Sequence, residues 1–120
     1  MNERPDILGK ALIDHQMGII SGELIIYGED LEAEIMDIAY YFRSYKEMPD
    51  YEQIALDLCE GTTLDVGAGA GSHALYLQNI GLDVKAIDIS KGAVEVMKVR
   101  KLKNPKQISV QELTDEKYDS

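Results

Sequence analysis

The sequence predicts an α/β protein in which short parallel strands alternate with flanking helices, behind a helical N-terminal segment. Two stretches carry that expectation. Leu64-Asp65-Val66-Gly67-Ala68-Gly69-Ala70-Gly71-Ser72-His73-Ala74-Leu75-Tyr76-Leu77 reads as a short apolar strand, a glycine loop and the opening turns of a helix. About twenty residues on, a second apolar run, Val84-Lys85-Ala86-Ile87, ends in Asp88. Strand, helix and strand thus follow one another at the spacing of a βαβ unit. With 120 residues in all, the chain has room for one small domain.

The elements are expected as follows. Leu8, Ala11, Leu12 and His15 recur at helical spacing between Pro5 and Met17, with Asp6 and Lys10 outside and His15 on the helix surface. Gly18, Gly22 and Gly28 punctuate a short extended piece from Glu23 to Tyr27. Glu29 to Met36 is acidic, with Leu31, Ile35 and Ile38 at the spacing of a short helix. Tyr40-Tyr41-Phe42-Arg43-Ser44-Tyr45 gathers half of the aromatic residues into a core or pocket wall, where Arg43 wants an anionic or stacked partner. Pro49-Asp50-Tyr51-Glu52-Gln53 starts a helix that buries Ile54, Ala55, Leu58 and Cys59 and stops at Gly61. A first strand from Thr63 to Val66 and a helix ending at Gly81 follow, then a second strand from Asp83 to Asp88. Ser90 caps the next helix, which turns Ala93, Val96 and Met97 inward, while Lys98, Arg100, Lys101 and Lys103 form a solvated basic end. A third strand is expected from Gln107 to Val110.

Composition narrows the function. The formal charge of −10 argues against a phosphate-backbone binder, so nucleic acid is not an expected partner. The single cysteine, Cys59, rules out an internal disulfide framework and suits a reducing cytoplasm. No run is long and apolar enough to span a membrane, and no His, Cys and carboxylate constellation suggests a metal.

The glycine spacing separates ligand classes. Three glycines alternating with single residues let the backbone turn sharply and keep Cβ atoms away from a ligand. The dinucleotide fingerprint G-x-G-x-x-G, counted from Gly67, wants its third glycine where Ser72 stands; here it falls at Gly71. Asp65, two residues before the first glycine, suits a ligand with a positive charge, such as an α-ammonium group. Asp88 at the end of the second strand is placed to accept hydrogen bonds from two ribose hydroxyls.

Acid-x-Gly-x-Gly-x-Gly followed by a strand ending in an acid resembles motifs I and II of the class I S-adenosylmethionine-dependent methyltransferases, over roughly Gly61 to Lys91. The resemblance implies the N-terminal half of a Rossmann-like domain, with parallel strands in the order 3-2-1. Residues 61–120 would form the partial donor-binding unit and residues 1–60 a helical cap, together a single domain. It implies S-adenosylmethionine as cofactor and S-adenosylhomocysteine as product, bound at Asp65, Gly67, Ala68, Gly69 and Ser72 of the first motif. Asp88 would hold the ribose, with Ile89 beside the adenine and Gln111 and Glu112 meeting its ring. Arg43 and Tyr45, on a segment folding over the donor, would meet its carboxylate. No catalytic residue is singled out, because methyl transfer from a sulfonium needs little acid–base help.

The resemblance runs out after the third strand, so the chain reads as truncated there. The front half of a methyltransferase, acting on a small-molecule acceptor, is the leading reading. The alternative is an inactive donor-binding or self-associating fragment. In either case the first strand becomes a sheet edge with unpaired backbone groups, and a homo-oligomer formed through that edge is expected.

Overall fold

The computed structural model describes residues 6–18, 24–27, 33–113, 118 and 120. Helix α1 (Ile7–Gln16) opens the chain, capped by Asp6, whose side chain accepts from the Gly9 N–H at 3.0 Å. Strands β1 (Leu24–Tyr27) and β2 (Ala33–Met36) form an antiparallel hairpin with Leu24 opposite Met36. The helical spacing expected up to Met36 is therefore overturned at its end. The four-residue run from Leu24 offers the second run a complete ladder partner, and cross-strand pairing outweighs a helix of so few residues. Leu31 and the remainder of that expected helix before Ala33 lie outside the described residues, as does Gly22. Two 3-10 turns, Ile38–Phe42 and Tyr45–Glu47, carry the aromatic segment.

Helix α2 (Asp50–Asp57) begins after Pro49, which fixes the extended entry at φ −65°. Its inner face differs from the expected one. Ile54, Ala55 and Leu58 are exposed and Cys59 is half-buried, whereas Leu56 is buried, with Glu52 and Gln53 turned partly inward. The apolar pattern offered two faces. The face carrying Leu56 and Gln53 won: Leu56 packs with Met48 and Leu77, and Gln53 Nε2 donates to the carbonyls of Tyr45 (2.9 Å) and Met48 (3.0 Å), satisfying backbone groups that the aromatic segment leaves over.

The remaining elements build the parallel sheet: β3 (Thr62–Val66), α3 (Ser72–Asn79), β4 (Asp83–Asp88), α4 (Lys91–Val99) and β5 (Lys106–Gln107). The strand order is β3-β4-β5, both pairs parallel, with Thr62 opposite Asp83 and Ile87 opposite Lys106. This is the expected α/β architecture of three parallel strands with flanking helices. The third strand is shorter than predicted: Ser109 and Glu112 form a capping box that takes Val110–Glu112 into a 3-10 turn instead.

Helix α1 lies on α4, and their faces supply the main core, in which Leu12, Ala93 and Met97 are fully buried with Ala86 of β4. A smaller cluster of Met48, Leu56 and Leu77 joins α2 to α3. Arg100 is not the solvated cation expected at the end of α4. It is half-buried, donating to the Ala70 carbonyl at 2.7 Å and to Ser72 Oγ at 3.1 Å, with its guanidinium 5.0 Å from the Phe42 ring centre.

The outer edge of β3 is also not wholly open. Ser120 donates its N–H to the Thr62 carbonyl (3.2 Å) and accepts from the Leu64 N–H (2.9 Å), the pattern of a parallel ladder around Thr63. Among the described residues no helix is long and apolar enough to cross a membrane.

Candidate functional site

The glycine loop sits at the C-terminal ends of β3 and β4, where parallel sheets present their ligand sites. Gly67, Gly69 and Gly71 have φ of +66°, +58° and +81°, left-handed values that side chains disfavour. Each glycine answers a different demand. A Cβ on Gly71 would come within 2.8 Å of Met97 Cγ, so this residue lets the loop close onto the core. One on Gly69 would stand 3.0 Å from the Tyr41 ring. One on Gly67 would meet nothing within 4 Å, leaving the space before it open.

The loop is held from below by β4. The Ala68 N–H donates to the Ile87 carbonyl at 3.1 Å, and the Gly69 N–H donates to Asp88 Oδ2 at 2.9 Å. Asp88, only 8% exposed, accepts at its other oxygen from the Ser90 N–H at 2.8 Å. The acid that ends β4 is thus fixed between the glycine loop and the start of α4. Ile89, the next residue, is exposed, and its carbonyl accepts from Gln107 Nε2 at 3.3 Å.

Above the loop, Asp65, Gly67, Ala68, Ser72 and His73 meet Tyr40, Tyr41, Arg43 and Glu52 around a cleft of about 190 Å3. Ser72 clips the two halves together, its Oγ donating to the Tyr41 carbonyl at 2.6 Å. Asp65 is the unbalanced group: its Oδ2 is buried with no hydrogen-bond partner among the described residues. Desolvation pushes its carboxyl above the ordinary value; His73 opposes the shift and Asp88 adds to it.

Arg43 finds its anionic partner inside the cleft wall. Its Nη2 lies 3.0 Å from Glu52 Oε2, its Nε donates to the Tyr40 carbonyl at 2.9 Å, and its guanidinium stacks 3.8 Å from the Tyr40 ring centre. The hydrogen bond from Arg43 holds Glu52 below the usual carboxylate range, and the same bond raises Arg43. His73 Nε2 stands 4.0 Å from the same Glu52 oxygen.

Of the residues singled out in the sequence, Asp65, Gly67, Ala68, Ser72 and Arg43 line this cleft, whereas Gly69 and Asp88, bonded to each other, are outside its lining. Tyr45 does not line it. Its ring stacks on Tyr76 at 4.2 Å, and its hydroxyl donates to Asp57 at 2.8 Å, a bond that pushes the phenol up to about 12. Gln111 and Glu112 are exposed on the 3-10 turn after β5, outside the cleft lining, where Glu112 accepts from the Ser109 N–H. Tyr40, Tyr41, Glu52 and His73 line the cleft without having been singled out for it. The Arg43 guanidinium was the one available signal, since it called for an anion and Glu52 lies in the first turn of the next helix. A larger cavity of about 900 Å3, bordered by Lys85, Lys98, Lys103 and Lys106, lies at the opposite ends of the strands. It holds none of these groups.

Residues 64–120 match the sequence family described as a methyltransferase domain. A solved structure, that of a SAM-dependent methyltransferase from Bacteroides fragilis in complex with S-adenosyl-L-homocysteine, is similar at a TM-score of 0.85 and 37% identity. The similarity covers 95% of this chain and 48% of that one, so the chain spans about half the length of its relative. No curated protein matches.

Proposed function

We propose that this chain, similar in sequence and fold to a SAM-dependent methyltransferase across 48% of that enzyme's length, binds S-adenosylmethionine and transfers its methyl group to a small-molecule acceptor. S-adenosylhomocysteine is then the product. The observation that carries the reading is the pairing of an open, left-handed glycine loop with Asp65, a half-buried acid whose buried Oδ2 has no hydrogen-bond partner among the described residues. A dinucleotide would bring phosphates toward that carboxylate. An α-ammonium group instead supplies the missing donor. The cleft of about 190 Å3 suits the amino-acid end of such a ligand. Whole small-molecule sites run to roughly 300–1,000 Å3. The nucleoside would therefore extend over Gly69 toward Asp88 and Ile89.

When bound, the sulfonium supplies an activated methyl group whose leaving thioether is neutral. The protein's part is to position it and exclude water. In this reading Asp65 binds the ammonium group, Gly67, Ala68 and Gly69 bring the main chain against the ligand, and Ser72 ties the loop to the aromatic segment. Asp88 orients the ribose hydroxyls, and Arg43, beside Glu52, offers its guanidinium to the carboxylate. Tyr45, Gln111 and Glu112 enter only if the segments that carry them close over the ligand. The cytoplasm is the compartment this reading assumes. Isothermal titration with S-adenosylmethionine and S-adenosylhomocysteine tests it: saturable binding of both supports the reading, and no heat from either at millimolar ligand removes it.

The second reading, a binding and self-associating module, is favoured by one feature. Tyr51, Ile54 and Leu58 form an exposed apolar stripe along α2, at 71%, 59% and 73% exposure. We propose that copies of the chain meet through this stripe and the adjoining β3 edge, and the two readings are compatible.

A further inference from the structure

We infer that Asp6, at the start of α1, is a positioning residue for the donor site, acting on Asp88 through the first turn of α4. The inference rests on the donor reading above and extends it to a residue far from the glycine loop in sequence. Helices α1 and α4 meet at their N-terminal ends, and two glycines make the approach possible. A Cβ on Gly92 would run into the backbone of Gly9, and a Cβ on Gly9 would run into Asp6 and Ser90 Oγ. Two helix N-termini at close range present partial positive charge to each other. A single carboxylate is set between them.

Asp6 caps both helices. It accepts from the Gly9 N–H at 3.0 Å within its own helix, and across the junction from the Gly92 N–H at 2.8 Å and Ser90 Oγ at 2.8 and 2.9 Å. Burial works to raise this carboxyl, but the bonds from Gly92, Ser90 and Gly9 outweigh it and hold it below the ordinary value. Ser90 is the link. Its hydroxyl accepts from the Ala93 N–H at 3.0 Å, and its own N–H donates to Asp88 Oδ1. Asp88 in turn holds the Gly69 N–H. One chain of hydrogen bonds therefore runs from Asp6 through Ser90 and Asp88 to the glycine loop. Its first member is an N-terminal residue that the site itself never touches.

The coupling is tested first without ligand, by hydrogen exchange at individual amides in the wild type, Asp6→Asn and Asp6→Ala. Asn keeps one acceptor oxygen and guards against a variant that fails to fold. Loss of a charge-assisted bond predicts exchange faster by about tenfold at Gly9 and Gly92, whose amides Asp6 holds, and a lesser rise at Ser90, whose amide is held by Asp88. It predicts a smaller but measurable rise at Gly69, while protection at Leu77 and Ala86 stays unchanged. Faster exchange confined to Gly9 and Gly92 would show a mere helix cap and overturn the inference. The second arm is titration with S-adenosylhomocysteine and with its 2′,3′-dideoxy analogue. Asp6→Asn should lose several-fold affinity for the first and clearly less for the second, because only the first presents ribose hydroxyls to Asp88. Equal losses for both would make Asp6 a stabilising residue alone. A wild type that binds neither ligand removes the donor reading, and the exchange at Gly69 then still decides whether the coupling exists.

Discussion

Asp65 is where stability and binding pull in opposite directions. Its Oδ2 is buried and unpartnered among the described residues, and its carboxyl is raised by desolvation. A carboxyl with a raised folded-state value contributes most below the ordinary carboxylate range, and that contribution is lost as pH rises through the folded value. Asp65→Asn should therefore stabilise the ligand-free protein at neutral pH by on the order of 1 kcal/mol. The gain should shrink as pH falls into the acid range, where the wild-type group is also neutral. The same substitution should weaken S-adenosylmethionine binding. Thermal melts across pH together with a titration check both signs, and a less stable Asp65→Asn at neutral pH contradicts the account. Gly67 gives a second test at this scale. An added Cβ has no protein atom to strike, so Gly67→Ala costs only the left-handed strain, about 1–2 kcal/mol. It should nevertheless lose ligand binding, because the Cβ occupies the ligand's space. Normal affinity in a folded Gly67→Ala protein would mean that the loop is merely a turn.

Between elements, the glycine loop and the end of β4 act as one unit because Asp88 joins them. Its carboxylate holds the Gly69 and Ser90 amides, so its substitution reaches the loop and α4 together. Asp88→Asn replaces one acceptor oxygen with an NH2 group that faces an N–H donor. We expect destabilisation of about 1–3 kcal/mol, and loss of affinity for both donor and product of similar size. Chemical denaturation and titration measure the two effects. Unchanged stability would show that the bonds to Gly69 and Ser90 are weak, and unchanged affinity would remove Asp88 from the site. The aromatic segment is tied in by different means. Ser72 and Arg100 fasten it to the loop and Gln53 fastens it to α2, so polar bonds set its place together with the core packing of Ile38, Tyr41 and Phe42.

For the molecule as a whole, the exposed stripe on α2 is the feature most at odds with a chain whose net charge is −10. Charge of one sign opposes association, and that opposition weakens as salt screens it. Light scattering at about 0.15 M salt should find a dimer or larger species, with Leu58→Glu shifting it to monomer while leaving helix content unchanged. A monomer at high protein concentration and high salt would overturn self-association.

The sequence by itself determined what depends on near neighbours. The strand from Thr62 to Val66, the glycine loop and the strand from Asp83 to Asp88 were legible because apolar runs, left-handed turns and a terminal acid are local properties. So was the Ser90 cap, with Ala93, Val96 and Met97 buried behind it. The tertiary structure alone decided which of two faces α2 would bury, since Ile54 and Leu58 were as apolar as a core requires. That choice was made by Leu56 packing with Met48 and Leu77 and by carbonyls of Tyr45 and Met48 needing donors, demands from residues outside the helix. The strand at Ala33–Met36 likewise depended on a partner run, and the inward turn of Arg100 on the Ala70 carbonyl thirty residues away. The pairing of Arg43 with Glu52 and the orphaned oxygen of Asp65 arise from side chains meeting across three elements. Periodicity records which way a residue faces within its own element. It carries no record of which distant polar group will be left without a partner, and in this chain those groups shape the cleft.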